Sequence, residues 1–349
     1  MPKLNTHGLH HVTLICADME ETIRFYTELL GLRLVKRAVN FDDPSAKHFY
    51  FGDRVGSPGT LMTFFEYPDG SPGRMGVGVN HHTAFIVADE TAQCHWVNWL
   101  EGHDVRVSGP YNRNYFRSIY FHDPDGIILE IATRGPGFLI DEDENHLGQA
   151  LNPPPQMYQR PQLRGRDPEI EARLEAIGDV DEITAEMRLQ GLHHVSLLGS
   201  DMDRTIRFYT EALGFRLVKQ TQNFDDPDHR HLFFGDEIGR PGTLVTVFEY
   251  PDLRRGFPSV GLTHHIALVA EDEQEQLAWK DHLNRLDIAT TEVIDRTYFK
   301  SIYFQDPDGV IVEIATRGPG FLIDEDGDHL GEQLKVPAWL AAEVRDEEE

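Results

Sequence analysis

Four histidine doublets punctuate the sequence: His10-His11, His81-His82, His193-His194 and His264-His265. Imidazole titrates near neutrality and is the commonest nitrogen ligand for metals. Two glutamates stand in apolar surroundings, Glu130 within Gly126-Ile127-Ile128-Leu129-Glu130-Ile131 and Glu313 within Gly309-Val310-Ile311-Val312-Glu313-Ile314. A carboxylate in such a run is costly to bury alone, so it either reaches solvent on an alternating strand or binds a cation. Alternation puts Glu130 on the face of Ile128 and Ala132, which argues against a solvated face. Two neutral imidazoles and one carboxylate form the facial ligand set of non-haem Fe(II) oxygenases, with three positions left open. Zinc hydrolysis uses the same ligand types, so the ligands alone do not fix the metal. A single strand histidine is usually a hydrogen-bonded structural residue, but packing alone does not account for four doublets at equivalent places.

The elements that must position these residues are repeated. Gly8-Leu9-His10-His11-Val12 returns as Gly191 to Val195, and Ile131 to Asp143 returns as Ile314 to Asp326, each offset by 183. Residues 8–148 and 191–331 match without gaps at roughly 80 of 141 positions, so the halves share one fold. Each half reads as two βαβββ units. In the first, strands are expected at Leu9 to Cys16, Arg33 to Val39, His48 to Gly52 and Thr60 to Tyr67, with a helix capped by Asp18 and ended at Gly31. The second has strands at His81 to Val87, Val105 to Ser108, Ser118 to His122 and Ile127 to Thr133, with a helix over Glu90 to Leu100. Each doublet opens the first strand of a unit, where alternation sends its two members to opposite faces. In the odd-numbered units Thr63 and Thr246 stand where the even ones carry Glu130 and Glu313, so each half offers two doublets and one such glutamate. Short strands outnumber helices, which fits an α+β fold of four βαβββ modules in tandem halves, with curved mixed sheets forming cups. The domain limits are 7–150 and 190–335, with a linker at 151–189 containing a helix over Glu169 to Ile177, and an acidic tail at 336–349.

Hydrophobic residues make up 40% of the 349, enough for real cores, and no apolar run is long enough to span a membrane. The net charge of −27 repels nucleic acid and anionic lipid. Such an acidic, lysine-poor surface suits a salt-rich cytosol or an ordinary acidic cytosolic protein. Cys16 and Cys94 are too few for a disulfide scaffold, and the first residues carry no apolar signal segment, so a reducing cytoplasm is expected. Asp141-Glu142-Asp143 and Asp324-Glu325-Asp326 read as solvated loops in preference to cation sites, and Arg134-Gly135-Pro136-Gly137 as a turn.

Leu9-His10-His11, His264-His265, the segment Arg296-Thr297-Tyr298-Phe299-Lys300-Ser301 and Glu313 together resemble the vicinal oxygen chelate superfamily, which includes glyoxalases and type I extradiol dioxygenases. Within it, the hydroquinone-type ring-cleaving dioxygenases are the more specific likeness, from about Gly8 to Gly331. The resemblance implies that the second histidine of each doublet ligates and that two paired units form the cup. It maps His11, His265 and Glu313 onto a metal triad from the first and fourth units, with Thr13 lining the pocket. His10, His264, Arg296 and Tyr303 correspond to positions that orient ligands or touch substrate. The repeat leaves an equivalent set, His82, His194 and Glu130, surrounded by His81, His193, Arg113, Tyr120 and Ser196, and hence two metal sites per chain. If units pair within a half, the same six ligands form His11/His82/Glu130 and His194/His265/Glu313 instead. The implied activity is insertion of O2 into a dihydroxylated aromatic at Fe(II), with Mn(II) the other candidate, in a chain open to homo-oligomer formation. The alternatives are a glyoxalase-like isomerase or lyase that needs no O2, and a non-catalytic binder of small aromatics.

Overall fold

The computed structural model describes residues 4–152, 166 and 168–336. The proline-rich linker stretch at 153–165 and the acidic tail from 337 lie outside them. The first unit runs β1 (Leu9–Cys16), α1 (Met19–Arg24), β2 (Arg33–Val39), β3 (Lys47–Gly52) and β4 (Leu61–Glu66). The second is β5 (Asn80–Val87), α2 (Glu90–Gly102), β6 (Ser108–Asn112), β7 (Arg117–His122) and β8 (Ile128–Thr133). Helix α3 (Pro168–Ile177) follows and buries Ile170 and Leu174. The third unit is β9 (Leu192–Gly199), α4 (Met202–Arg207), β10 (Arg216–Gln222), β11 (Arg230–Gly235) and β12 (Leu244–Glu249). The fourth is β13 (Thr263–Ala270), α5 (Glu273–Arg285), β14 (Ile294–Asp295), β15 (Lys300–Gln305) and β16 (Ile311–Thr316), before a short β17 (Leu334–Lys335).

Asp18 caps α1 by accepting from the N–H groups of Glu20 and Glu21. The helix expected to reach Leu30 is α-helical only to Arg24 and then widens into a π-helical turn over Phe25–Leu29. That turn buries Tyr26, whose hydroxyl donates to Asp123 Oδ2 at 3.2 Å. The strand expected at Val105 to Ser108 begins instead at Ser108. The Val105 N–H closes the end of α2 on the Leu100 carbonyl, Asp104 has a φ of 61°, and the ladder starts where Ser108 faces Tyr120.

The units pair across the halves. One sheet has the order β14-β15-β16-β13-β1-β4-β3-β2-β17, joining the fourth unit to the first. The other, β10-β11-β12-β9-β5-β8-β7-β6, joins the third to the second. Within each sheet the seam is antiparallel, β1 on β13 and β5 on β9. The largest core holds Val12, Leu14, Val195, Leu197, Ile266 and Leu268 with Trp96 and Trp279 of α2 and α5, so one face of each central strand packs inward and the other is free to line a cup.

The acidic triplets lie in exposed loops as expected, with Asp143 and Asp326 in solvent, but the first two carboxylates of each meet a buried lysine. Lys36 on β2 is fully buried and pairs with Asp324 at 2.6 Å and with Glu325, while Lys219 on β10 meets Asp141 and Glu142, each at 2.8 Å. A fully buried ammonium requires such partners. The paired carboxylates pin the segments after β16 and β8 beside each cup; His146 and His329 remain exposed.

Burial raises the Asp123 carboxyl to about 7 and that of Asp306 to about 6, although backbone N–H groups of Ile127 and Val310 lower both. An unfolded chain releases these protons near pH 4. A carboxyl whose folded value lies above its unfolded one stabilises fully below the unfolded value, and that contribution is lost as pH rises through the folded one. Asp123→Asn is therefore expected to flatten the stability loss between about pH 4 and pH 7, by up to roughly 4 kcal/mol. Urea midpoints of both chains across that range check this; parallel curves would refute it.

Candidate metal centres

Strand register sets the first centre, here called outer. His11 on β1 faces Ala267 on β13, Ala267 neighbours Glu313 on β16, and Glu313 faces Tyr303 on β15. Residues directly opposite on adjacent strands project from the same face, so these four form one row across the sheet. His265 lies one strand period from Ala267 and opposite Thr13. In the inner centre the row is His194, Ala84, Glu130 and Tyr120, with His82 opposite Ser196.

The doublets do not simply alternate. Each first member, His10, His81, His193 and His264, is the extra residue of a β-bulge at the seam. A bulge re-aims its side chain, so both rings of a doublet end on neighbouring ground instead of opposite faces. The Nδ1 atoms of His10 and His11 are 2.9 Å apart, and the other doublets repeat this at 2.8 to 2.9 Å.

In the outer centre His11 Nε2 and His265 Nε2 lie 3.2 Å apart, with Glu313 Oε2 at 3.3 and 2.9 Å from them. In the inner centre the separations are 3.2 Å between His82 and His194 and 3.0 and 3.3 Å to Glu130 Oε2. Ligands that share a cation at about 2.1 Å stand roughly 3.0 Å apart at right angles and 3.4 Å at a tetrahedral angle. All six candidate ligands are buried. Glu313 Oε2 and both carboxylate oxygens of Glu130 have no hydrogen-bond donor, an arrangement too costly to leave without a counter-charge. The residues present therefore fit a divalent cation in each centre.

Burial by itself would raise the Glu313 carboxyl, but His11 and His265 outweigh it and hold it well below the usual range; His194 and His82 do the same for Glu130. Burial, then the neighbouring His11, lowers His10 to about 3, so its ring is neutral. His10 Nε2 donates to the Thr316 carbonyl at 3.2 Å, which leaves its Nδ1 as the acceptor. His11 must then donate from Nδ1, which leaves its Nε2 either to share a proton with Glu313 or to give the lone pair that a metal ligand needs.

A cavity of about 320 Å3 opens over the outer triad and one of about 390 Å3 over the inner. His264 and His81 sit at the mouths, their rings lowered to about 3 by burial and by the adjacent histidine. Arg296 Nε donates to Tyr303 Oη at 3.2 Å and its Nη2 to Asp42 at 2.7 Å, so the guanidinium is both paired at the rim and turned to the pocket. Arg113 repeats the Asp pairing with Asp225 at 2.8 Å and lies over Tyr120. Thr13 Oγ1 bonds Thr63, which bonds His48, which bonds Tyr50, each step at 2.8 or 2.9 Å. Ser196 and Thr246 form the matching link to His231.

The sequence pointed to neither the pocket residues His48, Tyr50 and Asp42 nor Ala267 in the row, and it gave no role to Phe299, which lines the pocket, or to Ser301, which donates to Glu313 Oε1 at 2.5 Å. His48 recurs as His231 at the repeat offset, and that was the available signal.

The model of the Glyoxalase/Bleomycin resistance protein/Dioxygenase superfamily matches residues 8–131 and again 191–314. The proposed ring-cleaving dioxygenase MhqE of Bacillus subtilis (strain 168) is 33% identical over 345 residues, covering 97% of this chain and 95% of its own. The chlorohydroquinone/hydroquinone 1,2-dioxygenase of Sphingobium indicum is 33% identical over 135 residues, 37% of this chain and 41% of its own. A crystal structure of a proposed dioxygenase from Bacillus subtilis subsp. subtilis str. 168 superposes with a TM-score of 0.78 at 29% identity, covering 98% of this chain and 96% of that one.

Proposed function

The chain belongs to the Glyoxalase/Bleomycin resistance protein/Dioxygenase superfamily, and from that membership we propose that it is a metal-dependent ring-cleaving dioxygenase acting on dihydroxylated aromatics of the hydroquinone or catechol type. The observation that carries this reading is a pair of imidazoles and a carboxylate oxygen without a hydrogen-bond donor at the floor of an aromatic-walled pocket, built twice. His11, His265 and Glu313 would hold one Fe(II), and His82, His194 and Glu130 a second, with Mn(II) as the substitute. Such an ion, once bound, supplies a shared electrophilic and redox-active point for the ring hydroxyl and O2. Both atoms of O2 enter the product, so no external reductant is needed.

The chain's own residues then bind, orient and hold protons. Phe65 and Phe299 flank the outer pocket and Ile311 lines it, confining a flat ring and excluding water. The Arg296 guanidinium faces developing negative charge on a ring oxygen. Burial raises the Tyr303 phenol far above its ordinary value, so it keeps its proton at neutral pH. Arg296 Nε already donates to the Tyr303 oxygen, which frees the phenolic hydrogen for substrate. His264, neutral and half-buried at the mouth, turns its Nδ1 to His265 at 2.8 Å and so offers its Nε2–H as a hydrogen-bond donor to a ring oxygen. The inner pocket places Arg113, Tyr120 and His81 in the same roles.

Among the described residues no helix is long and apolar enough to cross a membrane. Cys16 and Cys94 are free and buried, and the Cys16 thiol is pushed up to about 12 by burial, which suits a reducing cytoplasm. Anaerobic loading with Fe(II), metal counting and O2 uptake against catechols and hydroquinones test the proposal. Two metals per chain and stoichiometric O2 consumption are expected; ring binding without O2 consumption would overturn it.

A further inference from the structure

The two pockets are lined by corresponding residues with a few exceptions, and one exception changes what the wall offers. In the outer pocket the Tyr50 hydroxyl bonds His48 Nδ1 at 2.9 Å, and His48 Nε2 bonds Thr63 at 2.9 Å, so both ring nitrogens are engaged within the protein. A phenol is the stronger donor of that first pair, which makes His48 Nδ1 the acceptor and Nε2 the donor. In the inner pocket Phe233 stands where Tyr50 does, 183 residues on. His231 keeps the bond to Thr246, also at 2.9 Å from Nε2, and packs its ring tilted against Phe233 at 4.1 Å, much as His48 packs against Tyr50 at 4.2 Å. Its Nδ1 has no protein partner among the described residues, although the side chain is only 9% exposed and lines the cavity. Phe233 also lacks the hydroxyl that Tyr50 carries at the pocket wall. The inner mouth is more polar as well, because Tyr111, bonded to Ser108 at 2.5 Å, replaces Ile294.

We propose that the Tyr50/Phe233 difference gives the two pockets different ring preferences: the inner one binds dihydroxybenzenes bearing a further hydroxyl, which pairs with His231 Nδ1, and the outer one binds rings without it. This rests on the ring-cleaving reading of both centres. In the outer pocket Tyr50 supplies the donor itself, so a third ring hydroxyl finds its acceptor occupied and its place filled. A ring nitrogen at the pocket wall without a protein partner favours a ligand hydroxyl, which can donate to it or accept from it, over a ligand that leaves it to water.

The test uses two single-centre backgrounds of the full chain, Glu313→Ala to isolate the inner pocket and Glu130→Ala to isolate the outer. Hydroquinone and 1,2,4-trihydroxybenzene are titrated anaerobically into each Fe(II)-loaded protein, and O2 uptake is followed separately. The inner pocket is expected to favour the trihydroxy ring by roughly tenfold, the worth of one well-made hydrogen bond, over the ratio in the outer. Phe233→Tyr in the inner background should erase that preference and Tyr50→Phe in the outer should create it. Ratios unmoved by both exchanges overturn the proposal. Binding with the expected ratios but no O2 uptake supports the pocket assignment while removing the ring-cleaving reading, so the two failures are told apart.

Discussion

Glu313→Ala is expected to release one metal from each chain and leave the other in place. Glu313 is fully buried, and its Oε2 is the one negative ligand atom between His11 and His265. Without it two neutral imidazoles remain, with no charge to offset the desolvation of a dication. Even the loss of residues that merely support a ligand costs metal affinity 10- to 100-fold, and loss of the carboxylate ligand should exceed about 100-fold. The inner triad shares no residue with the outer and is built on the other sheet, so it should keep its ion. Glu130→Ala should give the converse, and the double variant should bind none. The loss also appears as stability, since an ion held at about 100 times its dissociation constant adds roughly 2.7 kcal/mol to the folded state. Metal analysis after anaerobic loading and melting with and without added Fe(II) read both effects. A Glu313→Ala chain that still holds two ions would remove this residue from the ligand set.

Much of this arrangement was visible in the residues because local signals were strong and repeated. The β-rich run Leu9 to Cys16, bounded by Gly8 and the capping Asp18, forms a strand with those limits. Glu130 and Glu313 stood out because an apolar run tolerates a carboxylate only with a partner. Other features depended on contacts distant in the chain. Either pairing of the four units satisfies the same strand patterns, and the seams of β1 on β13 and β5 on β9 emerge only when strands meet. The bulges at His10, His81, His193 and His264 break a period of two that sequence patterns assume. Nothing in the strand Arg33 to Val39 marks Lys36 as buried, and Asp324-Glu325 reads as a solvated loop, until they are brought together from 288 and 289 residues apart. His48 and Tyr50 look like an ordinary strand pair; only the stacked Thr13 and Thr63 reveal that they continue a chain of hydrogen bonds from the cup.

The smallest residue of the row should matter as much as the ligands. Ala267 stands between His11 and Glu313 in the sheet, and Ala84 between His194 and Glu130, each fully buried. Because all three side chains of such a row leave the same face, whatever occupies the middle position lies at the floor of the cup. A methyl group leaves room for three ligand atoms about 3 Å apart to converge; a leucine would fill that room with carbon. Ala267→Leu is therefore expected to abolish outer metal binding while adding the usual cost of an overpacked core, about 1–3 kcal/mol. Retention of the inner ion separates this from unfolding, since an unfolded chain would lose both. Ala267→Gly, which takes volume away, should keep two ions per chain. Metal counts on the two variants, beside Ala84→Leu with the opposite loss, decide the matter. An Ala267→Leu chain with both ions bound would mean that the cation lies off this row, and with it the geometry that makes His11, His265 and Glu313 a single face.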